Sequence, residues 1–165
     1  MVAYWLSNFR PIGGAFWMWV MWLYLDLLAA ESLVVLLSSL VPIFVVALAA
    51  VAFANGLWMS VGGFMVPPEA LNVFWRYVFH YIDYQAYVFQ GMMVNEFSGR
   101  EYSCGSSCRC MYDSPLASQC KIDGQAVLDA YGYKTGKTGE WVGILISIVV
   151  VYRLLAWLTL TLKRT

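Results

Sequence analysis

Few side chains of this sequence could take part in acid–base, nucleophilic or metal chemistry. Its 165 residues are 61% hydrophobic and only 12% charged, and they include a single histidine, His80. His80 and Asp83 are three positions apart, a spacing that would let them share a helix face and form a hydrogen bond. A membrane-embedded hydrolase could use such a dyad, but no nucleophile motif of the G-x-S-x-G type accompanies it. We therefore favour interfacial anchoring for this pair, with catalysis as the alternative.

A glycine- and lysine-bearing string at residues 132–138, Gly-Tyr-Lys-Thr-Gly-Lys-Thr, is similar at first sight to a phosphate-binding loop. The nucleotide-binding motif, however, has four residues between its first glycine and the Gly-Lys-Thr, and here there are three. No hydrophobic strand leads into the string. We interpret it as a polar linker, and we expect this chain to contain no catalytic residue and to bind no cofactor.

The four cysteines, Cys104, Cys108, Cys110 and Cys120, all fall within one polar segment. An even number of cysteines in a segment predicted to lie outside the cytosol indicates two disulfides, and three pairings remain open. A zinc site is the alternative. The single residue between Cys108 and Cys110 lacks the two-residue spacing of a zinc knuckle, however, and His80 is far away in the sequence. We expect disulfides and no metal.

The elements that must position these residues are long apolar segments, which predict an all-α membrane protein. Three complete transmembrane helices are expected, at residues 11–41, 42–66 and 141–162. Pro42 and the pair Pro67-Pro68 mark the ends of the first two, because proline disfavours helical backbone in the residue before it. Residues 13–40 as one helix would be roughly 42 Å long, so this helix must tilt in a hydrocarbon core roughly 30 Å thick.

The remaining segments differ in composition, and each predicts a different environment. Residues 67–97 are too aromatic for a solvated loop and too polar for a span, so we expect a re-entrant or interfacial helical segment. Residues 98–140 form the predicted Cys-rich external loop. The tail 163–165 carries two basic residues directly after the last span, which predicts a cytosolic C-terminus.

Three ionisable residues lie inside the predicted spans: Asp26, Glu31 and Arg153. Charged groups within a membrane are costly unless they face a partner or the bundle interior, so each is a functional candidate. We favour a salt bridge of Arg153 with Asp26 or Glu31 that fixes helix packing. A role in substrate or proton coupling is the alternative.

The second span is rich in alanine, glycine and serine, which let membrane helices approach closely. Asn55 on the same span can form a hydrogen bond across a helix interface. This composition predicts a central helix rather than a peripheral one. Ordinary helix packing and the lining of a pathway are equally compatible with it.

The order of these features resembles that of a known family. A span ends in Gly-Gly-Phe-Met-Val-Pro-Pro at residues 62–68, an aromatic segment closes with Asn-Glu-Phe-Ser-Gly at 95–99, and a cysteine-bearing loop follows. The entry to the last span reads Gly-Glu-Trp-Val-Gly-Ile at 139–144, and the span ends in basic residues. This pattern resembles the C-terminal half of the permease domain of G-subfamily ABC transporters, of the White and pleiotropic-drug-resistance type. The loop and this entry look most like those of fungal or other microbial eukaryotic members. The resemblance also implies that residues 1–10 are the tail of a truncated transmembrane helix followed by a short external turn.

The resemblance implies part of the permease of an ATP-driven exporter that moves hydrophobic or amphipathic compounds such as drugs, lipids and sterols. It also implies as partners membrane lipid, a second permease half in a homo- or heterodimer, an ABC ATPase domain and a hydrophobic substrate. A plasma membrane or another eukaryotic membrane is the implied location. We expect the chain to be a fragment without the ATPase domain, which in the family binds ATP and Mg. Its zero net charge argues against nucleic-acid binding.

The resemblance also assigns site residues to the second span. Phe64 and Met65 match a bulky pair that forms a plug between a central cavity and the external exit, with a lipid-facing position as the alternative. The substrate cavity is expected to be lined by Ala52, Asn55, Gly56 and Met59. A tetraspan-like membrane scaffold is the alternative function, although the loop lacks a Cys-Cys-Gly element. A membrane-embedded enzyme is disfavoured because no catalytic constellation is present.

Overall fold

The computed structural model describes residues 2–63, 65–66, 72–105 and 108–164 and is dominated by helices. The long helices are α2, α3 and α7, and each is long and apolar enough to cross a membrane. The expected all-α membrane architecture is therefore confirmed. In chain order the elements are α1 Val2–Leu6, α2 Gly13–Leu40, α3 Phe44–Val61, a π-helical turn Trp75–Phe79, α4 His80–Ile82, α5 Tyr84–Phe97, β1 Glu101–Ser103, a 3₁₀ turn Ala117–Gln119, β2 Lys121–Asp123, α6 Gly124–Ala130 and α7 Thr138–Arg164.

Proline chemistry explains where α2 ends. Val41, the residue before Pro42, is extended, with φ −105° and ψ 117°, as the ring of a following proline requires. The chain re-enters a helix at Phe44, so the connection between α2 and α3 is short. The pair Pro67-Pro68, which was expected to end the second span, lies outside the described residues.

Helices α2 and α7 run parallel and make the most extensive helix contact of the described chain. Side-chain contacts from Arg153 to Ser32 and from Lys163 to Ser39 fix their register. At the end of α2, the Lys163 ammonium donates to the carbonyls of Ser39 and Leu40, at 2.6 and 2.8 Å. These carbonyls have no partner within their own helix, and a cation there also interacts favourably with the helix dipole.

Helix α5 lies antiparallel to α2 and also packs against α7, and the main apolar core forms between these three helices. Asn95 donates to the Ala15 carbonyl at 2.9 Å near the start of α2, and Gly91 lies against the fully buried Trp22. A Cβ at Gly91 would overlap the Trp22 indole, so only glycine allows this approach. The core residues are Trp22, Leu25, Ala29, Leu33, Tyr84, Tyr87, Val88, Trp141 and Leu145.

Two short antiparallel strands and α6 form a small subdomain at the end of α5. The strands pair in the register Glu101 with Asp123, and two disulfides, Cys104–Cys110 and Cys108–Cys120, join the loop between them. The expected two disulfides are confirmed, and the structure selects this one of the three pairings.

The subdomain is attached directly to α5. The Gly124 amide donates to the Arg100 carbonyl at 2.7 Å, and a Cβ at Gly124 would overlap the Phe97 carbonyl. The first residue of α6 therefore touches the last residue of α5, and glycine is the residue type that permits it.

Candidate functional site

The amino end of α5 carries two fully buried side chains with polar groups, Asp83 and Tyr84. Asp83 separates α4 from α5 and is fully buried, and its Oδ1 accepts a hydrogen bond from the Gln85 amide at 2.8 Å. Aspartate is a preferred residue for capping the free amides at the start of a helix. We call this end of α5, residues 83–85, the α5 tip.

The α5 tip is joined to the middle of α3. The Tyr84 hydroxyl donates to Asn55 Oδ1 at 2.9 Å, and the Asn55 amide nitrogen donates to the Val51 carbonyl of its own helix at 3.1 Å. The side-chain amide nitrogen of Gln85, Nε2, lies 3.5 Å from the same Asn55 oxygen. Asn55 therefore turns toward α5, and its amide oxygen is engaged within the chain.

Asp83 Oδ2 is buried and has no hydrogen-bond partner within the described part of the chain. A Cβ built at Gly62 would lie 2.7 Å from this oxygen, so the glycine makes room for the carboxyl group. Asp26 Oδ1 is likewise buried without a partner among the described residues.

The hydrogen bond that the spacing of His80 and Asp83 would allow is not formed. His80 Nδ1 lies 3.0 Å from the Val61 carbonyl, at the end of α3. The helix is interrupted at Asp83, which is extended with φ −72° and ψ 110°, so the two side chains do not share one helix face. His80 is buried and joins α4 to α3, and the geometry contains no acid–base dyad at this position.

Among the charges inside the spans, Arg153 bonds to α2. Its Nη2 lies 3.1 Å from Glu31 Oε1, and its Nε donates to the Ser32 hydroxyl at 3.0 Å. The Glu31 and Arg153 side chains are 61% and 46% exposed, so the pair lies at the edge of the α2–α7 contact. Asp26 lies more than a helical turn away from Glu31, on the level of the α5 tip.

The residues expected at the cavity and the gate lie on α3 and just after it. Ala52, Gly56 and Met59 are exposed along α3, and a shallow apolar depression of about 540 Å³ includes Gly56. Met65 is 65% exposed. Phe64, its expected partner in the plug, lies outside the described residues.

A second polar cluster joins the first turn of the chain to the end of α5. Glu96 accepts hydrogen bonds from the Arg10 amide and the Tyr102 hydroxyl, both at 3.0 Å, and it also pairs with Arg100. The Arg10 guanidinium donates to the Ser98 carbonyl at 3.0 Å. The sequence analysis assigned no role to these residues, although Asn-Glu-Phe at 95–97 was part of the motif on which the resemblance rests.

Tyr84 and Gln85 were not expected from the sequence to belong to a site. An aspartate followed by a polar pair after an aromatic run is a recognisable signal for a helix start, and it was available in the sequence. Within the described residues, no group of three or more histidine, cysteine, aspartate or glutamate side chains is arranged to hold a metal ion.

Removing Arg153 should leave an unpaired charge on α2. We expect Arg153→Leu to reduce the amount of folded, monodisperse protein, because a charge left without its partner in low-dielectric surroundings is costly. Adding Glu31→Gln to this variant should restore part of the loss, whereas adding Asp26→Asn should not. Size-exclusion chromatography of detergent extracts measures the amount of folded protein for Arg153→Leu and for both double variants. If Asp26→Asn restores folded protein and Glu31→Gln does not, Glu31 is not the partner of Arg153.

Comparison with known proteins is consistent with a transporter membrane domain. Residues 1–97 match the family described as ABC-2 type transporter. ABC transporter G family member 23 of Arabidopsis thaliana is 29% identical over 157 residues, which are 94% of this chain and 23% of the relative. Member 13 of the same plant is 31% identical over 79% of the chain and 19% of its own length. Member 6 of Dictyostelium discoideum is 24% identical over 96% of the chain and 11% of its own length.

The chain thus spans about a quarter or less of the length of these relatives. The matched segment includes α1, α2, α3 and α5, so it contains both the α5 tip and its partner Asn55. Because this match covers more than half of the chain, the protein belongs to the ABC-2 type transporter family, and its relatives are ABC transporters of the G family.

Proposed function

We propose that this chain is part of the permease of an ATP-driven exporter that moves hydrophobic or amphipathic compounds, such as drugs, lipids or sterols, across a membrane. Family membership supports a role in transport. The observation that carries the proposal is the asymmetric environment of α3. Asn55 bonds this helix to the α5 tip, whereas Ala52, Gly56 and Met59 of the same helix are exposed.

The uncovered side of α3 suits a pathway between two permease halves. Only Ala47 and Val61 of this helix are buried within the chain. Ala52 and Gly56 let a second helix approach closely, whereas helices that face only lipid favour bulkier side chains. Two copies that meet along this side would enclose a cavity lined by Ala52, Gly56 and Met59. The second half would be another copy or a related permease.

The proposed gate lies at the outer end of this cavity. Phe64 and Met65 follow α3 directly, and in a two-fold dimer both pairs would converge near the axis. Apolar constrictions exclude water without any charged group. Gly63 has φ 93°, a backbone conformation that favours glycine, so the chain turns sharply just before the pair.

We propose that α5 is a re-entrant helix whose tip lies within the membrane. Its carboxyl end contacts the start of α2 through Asn95, and its amino end contacts the middle of α3 through Tyr84. Non-helical backbone at membrane depth is tolerated where protein surrounds it, and the break at Asp83 is fully buried. The chain would correspond to the C-terminal half of a White or pleiotropic-drug-resistance permease from a microbial eukaryote.

The disulfides and the basic tail support one orientation in the membrane. Disulfides persist outside the cytosol, which supports an external or luminal location for the subdomain after α5. Lys163 at the opposite end of α7 then lies on the cytosolic side of a plasma membrane or another eukaryotic membrane. Energy would come from an ABC ATPase domain that binds ATP and Mg.

The gate is tested by Phe64→Ala combined with Met65→Ala in the complete transporter, reconstituted in proteoliposomes with a fluorescent amphipathic substrate. We expect a several-fold change in export, or ATP turnover that is poorly coupled to export, at normal expression. The matched control is Phe44→Ala with Val45→Ala, which truncates two exposed side chains at the other end of α3. Unchanged export and coupling would show that the pair faces lipid. Absence of ATP-dependent transport in the unmodified protein would favour a scaffold function instead.

A further inference from the structure

A polar cavity opens where α7 begins, between α4, α5 and the linker that follows α6. Its volume is about 510 Å³. Lys134 and Lys137 contribute its positive charge. Lys137 lies 3.2 Å from Glu140, whereas Lys134 forms no ion pair within the described residues. The cavity therefore has an excess of positive charge that is available to an anion.

One wall of the cavity is aromatic. The rings of Tyr131 and Tyr133 stack with their centroids 5.7 Å apart, and Tyr81 and Trp141 also line the space. Tyr133 is 4% exposed, and its hydroxyl has no hydrogen-bond partner among the described residues. Tyrosine and tryptophan are the side chains that concentrate at the membrane–water interface, because one part of each ring is apolar and the other is polar.

An apolar groove continues from this cavity along α7. Glu140 and Ile144 line both spaces, and the groove extends past Gly143 to Tyr152 with a volume of about 730 Å³. From Ile144 to Tyr152 a helix rises about 12 Å. Ile82 forms its other side, and no residue of α3 lines either space. The composite site is therefore separate from the proposed transport pathway.

We propose that the cavity and the groove together bind one phospholipid of the external leaflet, with its phosphate against Lys134 and Lys137 and an acyl chain along Gly143. The apolar span of α7 begins directly after Lys137, so the two lysines lie at headgroup level and the groove at acyl-chain depth. A free phosphate ion would leave the groove empty, and an uncharged lipid would leave Lys134 without a counter-charge among the described residues.

The test uses a phosphatidylglycerol with a photoreactive group in one acyl chain, at low mole fraction in nanodiscs that contain the purified protein. After illumination, mass spectrometry should locate the label on the α7 segment around Gly143. A diacylglycerol with the same photoreactive chain lacks the phosphate, and we expect it to label this segment at least fivefold less. Excess inorganic phosphate should not displace the phospholipid, because it cannot occupy the groove.

Two pairs of variants separate the headgroup from the chain. Lys134→Gln with Lys137→Gln should reduce labelling at least fivefold, whereas Arg109→Gln with Lys121→Gln makes the same charge change in the same loop, outside the cavity. Gly143→Leu fills the groove without a clash, since no atom lies within 4 Å of its Cβ position. Gly139→Leu is equally free of contacts on the same helix and lies outside the groove. Circular dichroism and gel filtration establish that each variant is folded.

Loss of labelling in both test variants, with both controls unchanged, supports the site. Equal labelling of all variants would identify bulk lipid contact only and overturn the proposal. Loss in Gly143→Leu without an effect of the lysine variant, or equal labelling by diacylglycerol, would show an apolar groove that does not recognise phosphate, which also overturns it. Absence of label on this segment in the unmodified protein would show that the groove is covered.

Discussion

The fold depends on how the polar amino end of a short helix is accommodated among long apolar ones. Helix α5 contacts α2, α3 and α7, so every span of the described chain meets it. A buried polar group without a partner costs more free energy than most contacts contribute, which makes this position demanding. The Tyr84 hydroxyl and Asn55 satisfy each other, Asp83 caps the helix, and Gly62 leaves the space that the carboxyl group requires.

This arrangement divides the chain into a firmly packed part and a loosely packed helix. Helices α2, α5 and α7 share the apolar core, and Lys163 and Arg153 tie α7 to α2 along its length. Helix α3 buries few of its own residues; it contacts both α2 and α5, and it forms polar contacts with the α5 tip through Asn55 and with His80 through the Val61 carbonyl. A shift of α3 would therefore expose little apolar surface, which suits the proposed role of its free side in a pathway.

The features that could be predicted from the sequence are those that depend on local patterns. The three spans follow from long apolar runs and prolines, and the two disulfides follow from an even number of clustered cysteines. The choice of Glu31 over Asp26 could not be predicted, because it depends on the register of α2 against α7. Helices α2 and α7 are parallel, and Ser32 contacts Arg153. Asp26 precedes Ser32 by the same number of residues as Ser147 precedes Arg153, so Asp26 lies level with Ser147. The spacing of His80 and Asp83 also allowed a hydrogen bond that is not formed, since the helix break at Asp83 rotates the two side chains apart.

A double-mutant cycle on the α5 tip tests the central claim most directly. Tyr84→Phe and Asn55→Leu each remove one partner of the hydrogen bond, and unfolding in mixed detergent–SDS micelles measures the free energy of each variant. Each single change should cost about 1–3 kcal/mol, because the remaining polar group stays buried and unpaired. The double variant should cost less than the sum of the two by about 1 kcal/mol, the coupling expected for one buried hydrogen bond. Strictly additive losses, or single variants as stable as the unmodified protein, would contradict the claim that this bond joins α3 to the rest of the structure.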